Sequence, residues 1–197
     1  TKTFSVERQI QDFSDGGPAL AFKAAAASAV PETGSNENGK QMSEHKAPIK
    51  ASDAPARTKP SNYPEPYASR MTKRIKQPLG DYFVITQYGV NRTVLEPGGE
   101  SALMHVHTKQ EEFVYILEGN PTLVTDAGET EMSPGMCVGF QPNGQAHHLV
   151  NRTDRKVVML EVGNRPQGDE GSYPNDDIQA VMQDGKWVFT RKDGNTY

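Results

Sequence analysis

Apolar and polar positions along the chain follow two regimes that change near residue 77. From Gly80 onward, short runs rich in β-branched and aromatic residues recur, at 82–86, 90–95, 102–107, 112–117, 122–125, 136–140, 147–150 and 156–162. Gly, Pro, Asn or Asp divides them at roughly 8–12-residue spacing, the pattern of an antiparallel sandwich or barrel. Asp126-Ala-Gly128 and Asp184-Gly185 have hairpin-turn chemistry. Only 177–183 reads as a helix, and it is short. Upstream, residues 14–62 are dense in Gly, Pro, Ser and Asn, with few large apolar side chains to repay the entropy of ordering. Residues 1–62 are therefore expected to be a disordered leader. Residues 63–76, with Tyr63-Pro-Glu-Pro-Tyr67, are expected to lie as an extended arm on a folded domain spanning 77–197.

Composition sharpens this division. Bulky apolar residues number 13 among the first 76 and 39 among the remaining 121, so the core-building side chains are concentrated downstream. Charge divides at the same point. The first 76 residues carry 12 Lys+Arg against 8 Asp+Glu, and the rest carry 9 against 17. An acidic folded part argues against nucleic acid as a partner, because that affinity comes largely from phosphate neutralisation. No apolar run approaches the ~18 residues of a membrane span. Lys23 interrupts the Ala-rich stretch 19–30, and Glu7, Asp12 and Asp15 precede it, which disfavours secretory and transit-peptide readings. Residues 1–41 are expected to be dispensable, with Met42 opening a more ordered stretch. Cys137 is the one cysteine, which excludes an intrachain disulfide and fits the cytoplasm. Its apolar surroundings, Met136 and Val138, read as those of a buried small hydrophobe.

Candidate chemistry gathers in the β region. His105 and His107 are two apart on a strand, so they project from one face, and Glu111-Glu112 follow. Two imidazoles and a carboxylate make a plausible metal-ligand set. Alternation alone does not choose between Glu111 and Glu112, nor between His147 and His148. A carboxylate on a strand with apolar neighbours costs several kcal/mol unless it is paired, and a metal would supply the pairing. No general base stands out beyond these groups.

The residues Gly99, His105, His107, Glu112 and Gly119 resemble the first cupin motif, and Gly135, Pro142, Gly144, His147 and Asn151 resemble the second. The resemblance selects Glu112 over Glu111 and His147 over His148. It covers roughly residues 80–165, and the tail is similar to that of single-domain microbial cupins, some called sugar-phosphate-isomerase-like. It implies an all-β jelly-roll barrel that holds one divalent transition metal (Fe, Mn, Ni, Co or Zn) on His105, His107, Glu112 and His147. Leu103, Val114, Ile116 and Leu149 are expected to line a cavity for a small oxygen-rich organic substrate. An isomerase or an oxygen-dependent dioxygenase is the expected activity, with a non-catalytic metal- or small-molecule-binding protein as the alternative. A homodimer is expected from the same resemblance.

Overall fold

The computed structural model describes residues 46–59 and 61–197. The expectations for residues 1–45 lie outside the described residues. Among the described residues twelve strands dominate: β1 (Arg74–Pro78), β2 (Tyr88–Leu95), β3 (Val106–His107), β4 (Glu112–Glu118), β5 (Thr122–Thr125), β6 (Gly128–Glu131), β7 (Cys137–Phe140), β8 (His147–Val150), β9 (Val157–Asn164), β10 (Glu170–Ser172), β11 (Gln179–Gln183) and β12 (Lys186–Thr190). They form an antiparallel five-stranded sheet, β1-β2-β9-β4-β7, with a four-stranded sheet, β12-β11-β10-β3, and a three-stranded sheet, β6-β5-β8. The all-β class and cupin-type architecture read from the sequence are present.

Alternation decides which side chains face inward. On β4, Val114 and Ile116 are buried while Phe113, Tyr115 and Leu117 are exposed. Cross-strand pairs carry the same face across the sheet: Val114 lies opposite Glu161, Ile116 opposite Met159, and Met159 opposite Thr93. Two apolar clusters result. One joins Leu95, Ile116, Leu123, Leu149, Val157 and Met159 across the first and third sheets. The other packs Met71, Leu103, Tyr173, Ile178 and Ala180, with Tyr63 and Trp187 against it.

The structure corrects several local expectations. The run 82–86 is not a strand. It contains the end of a one-turn helix, α2 (Leu79–Tyr82), and a turn in which Val84 adopts φ 59°. Both edges of β2 are occupied, by β1 and β9, so this run finds no sheet edge there despite its β propensity. The span 177–183 is not a helix, because β11 pairs with β10 and β12 and turns Ala180 inward, with Ile178 buried just before it. The turn to β12 is Asp184-Gly185, both at positive φ, as a two-residue hairpin requires. Of 102–107 only the last two residues are a strand, with a bridge from His105 to His147. Cys137 is exposed, since β7 is an edge strand and Cys137 pairs with the outward Tyr115.

Residues read as leader and arm contribute structure. A 3-10 turn spans Ala51–Asp53, and Gln77 Nε2 donates to the carbonyls of Ser52 (2.8 Å) and Ala54 (2.6 Å). The arm holds a one-turn helix, α1 (Tyr67–Arg70), and the start of β1, because Met71 fills the second cluster and β1 completes the large sheet. Among the described residues no helix is long and apolar enough to cross a membrane.

Candidate metal centre

Three strands and one bridge bring the four motif side chains to one point. The Nε2 atoms of His105, His107 and His147 lie 3.3, 3.7 and 3.0 Å from Glu112 Oε2. One ligating atom from each of His105, His107 and Glu112 lies within 4.8 Å of the others, a group able to hold a metal ion. Glu112 faces inward with Val114 and Ile116, while Glu111 is exposed at the rim. His147 points to the cluster. His148 faces away, its Nδ1 3.1 Å from the Ala102 carbonyl.

The hydrogen bonds behind each imidazole fix its tautomer. His105 Nδ1 meets the Leu103 carbonyl at 2.8 Å, His107 Nδ1 meets Asp169 Oδ2 at 2.7 Å, and His147 Nδ1 meets the Gln145 carbonyl at 3.1 Å. All three partners only accept, so Nδ1 carries the proton and Nε2 turns a lone pair inward. Three such lone pairs facing one carboxylate oxygen repel unless positive charge lies among them. A divalent cation satisfies that arrangement, and three imidazoles with one carboxylate suit a first-row transition metal. Burial would raise the Glu112 pKa, but the surrounding imidazoles, where a proton on Nε2 stands in place of a cation, hold it well below the ordinary carboxylate value.

Aromatic rings brace the imidazoles. Phe140 stacks on His147 with centroids 3.4 Å apart, Tyr173 stacks on His105 at 6.1 Å, and Trp187 leans on His107 at 5.6 Å. Trp187 also lines the cavity beside His107. Asp169 is 1% exposed and also accepts the N–H groups of Lys109 (2.7 Å) and Gln110 (3.1 Å). Burial alone would push Asp169 up, but the His107 hydrogen bond and these N–H groups lower its pKa.

The cluster opens into a cavity of about 600 Å³. Val114 and Leu149 line it. Leu103 and Ile116 do not; both are fully buried, in the two apolar clusters beside it. The cavity also holds Arg57, Tyr63, Arg74, Lys76 and Glu161, none of which the sequence reading singled out. A signal for Glu161 existed: it is a carboxylate after Val157-Val-Met-Leu160, in phase with Val157 and Met159. Asp169 had none, being 62 residues from the His107 it supports.

Residues 91–163 match the cupin domain family model. A sugar phosphate isomerase of the cupin superfamily from Silicibacter pomeroyi is 36% identical, with TM-score 0.72 over 77% of this chain and 96% of that one. The chain belongs to the cupin superfamily. A proposed sugar phosphate isomerase from Acidithiobacillus ferrooxidans is 31% identical, with TM-score 0.58 over 63% of this chain and 80% of that one. No curated protein matches this cupin in sequence.

Proposed function

We propose that this cupin is a metal-dependent isomerase acting on a small phosphorylated sugar, with His105, His107, Glu112 and His147 holding one divalent transition metal. The charge lining the cavity carries this reading. The cations Arg57, Arg74, Lys76 and Arg165 balance the carboxylates Asp81, Glu112, Glu161 and Asp169. One divalent ion on the His/Glu cluster turns that balance positive, so the cavity favours an anion with several oxygens. The names given to the two sugar phosphate isomerase relatives support the same substrate class.

A bound divalent ion would supply Lewis acidity to vicinal substrate oxygens. The chain's own residues do the rest. Arg57 and Arg74, with their forked guanidinium groups, suit a phosphate or carboxylate end. Tyr63, Tyr173 and Phe189 meet edge to face and narrow the space around the imidazoles. A homodimer belongs to the same reading, because Phe113, Tyr115 and Leu117 form an exposed apolar row on the outer face of β4.

The test is metal loading followed by paired assays. Calorimetry with Mn, Fe, Co, Ni and Zn measures binding at the cluster, and NMR follows interconversion of aldose and ketose phosphates. Metal-dependent interconversion without oxygen uptake is the expected result. Substrate-dependent oxygen consumption by the iron-loaded protein would instead identify a dioxygenase. Metal binding without turnover of any sugar phosphate would leave a binding protein.

A further inference from the structure

The cavity wall holds a second, half-buried pair of charges that the metal cluster does not use. Lys76 Nζ on β1 lies 2.7 Å from Glu161 Oε2 on β9, and Thr93 Oγ1 on β2 donates to the same oxygen at 2.6 Å. Both bonds fall on Oε2. Glu161 Oε1 has no protein partner among the described residues and is not among the buried, unsatisfied atoms, so it is open to the cavity that Glu161 lines.

Strand register places this oxygen relative to the metal cluster. Glu161 lies opposite Val114, and Glu112 is two residues from Val114 on the same inward face of β4. Diagonal neighbours of this kind are separated by roughly 7–8 Å. A small molecule held at the Glu112–histidine cluster through two vicinal oxygens would have the carbons bearing them within reach of Glu161. Stability does not call for the pair. Met159 and Val114 flank it, and replacing a buried ion pair by apolar side chains is often neutral or stabilising. Burial pushes the Lys76 pKa down, with the Glu161 charge opposing that shift.

We propose that Glu161 is the proton-transferring carboxylate of this cavity, with Lys76 and Thr93 as positioning residues that keep it aimed. This rests on the sugar phosphate isomerase reading. Oε1 takes the proton from C2 of the aldose. The C2–H electron pair becomes the C1=C2 bond, and the carbonyl pair moves onto O1. The O2–H proton passes to O1, the C2=O2 bond forms, and the C1=C2 pair takes the proton back from Glu161 at C1. The products are ketose and regenerated carboxylate, with no oxidant or reductant consumed. Lys76 holds the negative charge of the resting carboxylate through Oε2.

The test uses the full chain loaded with its preferred metal, and compares wild type with Glu161→Gln. Binding of a polyol phosphate, which cannot isomerise, is measured by calorimetry beside turnover, metal content and melting temperature. The expected result is a loss of about 100-fold or more in kcat, with polyol phosphate Kd, metal content and melting temperature unchanged. Lys76→Met should lower kcat by a larger factor than it raises KM, and Lys76→Arg should restore kcat, which a merely structural role would not produce. Wild-type turnover in Glu161→Gln overturns the proposal and leaves the isomerase reading standing. So does a variant that loses polyol phosphate binding along with rate. A wild-type protein that isomerises no sugar phosphate overturns both.

Discussion

Asp169 Oδ2 accepts a hydrogen bond from His107 Nδ1 at 2.7 Å, while its other oxygen holds the backbone N–H groups of Lys109 and Gln110. The carboxylate therefore orients a candidate ligand and the turn leading to Glu112 together. Partners of this type typically contribute 10–100-fold to metal affinity. Asp169→Asn keeps an acceptor for the turn but loses the charge behind the imidazole. Its metal affinity should fall by roughly 10–100-fold with the melting temperature of the metal-free protein little changed, as calorimetry and thermal unfolding would show.

Arg70 bridges Glu100 and Asp176, each at 2.9 Å, and so ties helix α1 to the barrel. A hydrogen bond from His148, then those from Arg70, hold the Glu100 carboxyl below its ordinary value of 4.5 against the opposing effect of burial. A folded-state pKa below the unfolded one stabilises above the unfolded value and is lost as pH falls through the folded value. Arg70 is 38% exposed, so solvent screens the pair and its contribution is about 1 kcal/mol or less. Glu100→Gln should lower stability by that amount at pH 7. The difference from wild type should close in urea titrations below pH 4.5, the ordinary Glu100 value.

Gln77 is 6% exposed, and its side-chain N–H groups donate to the Ser52 and Ala54 carbonyls, while Arg57 N–H donates to the Lys76 carbonyl at 2.8 Å. A chain starting at Met42 should match the full chain in melting temperature. A chain starting at Tyr63 loses these three hydrogen bonds and the cover over Gln77. It should be less stable by about 2–3 kcal/mol and bind a sugar phosphate more weakly, because Arg57 and Asn62 leave the cavity wall.

Gly119 has φ 80°, and a Cβ there would lie 2.6 Å from the Lys156 carbonyl oxygen and 3.1 Å from Val157 Cα. Both partners are backbone and cannot move aside cheaply. Gly135 has φ 91° with open space around it. Gly119→Ala should therefore cost clearly more than the ~1–3 kcal/mol of backbone strain alone, and Gly135→Ala should cost only that strain. Denaturant midpoints of the two variants would separate the steric from the conformational part.

The order of hydrophobic and polar positions was enough to determine an antiparallel β domain. The two motifs sufficed to nominate His105, His107, Glu112 and His147, which converge in the structure. Their legibility has a local cause. His105, His107 and Glu112 lie within eight residues of one another, and strand alternation with short turns sets which way they point. The span 177–183 failed because helix and strand propensities are similar there, and pairing with β10 and β12 decided the outcome. Cys137 failed because burial on a strand depends on what covers the sheet, and β7 is an edge strand. Tertiary structure alone decided the rest of the cavity. Asp169 reaches His107, and Lys76 reaches Glu161, across 62 and 85 residues of chain, separations at which no spacing rule operates. Only the order of strands in the sheets, β1-β2-β9-β4 and β10-β3, brings those charges beside the residues they serve.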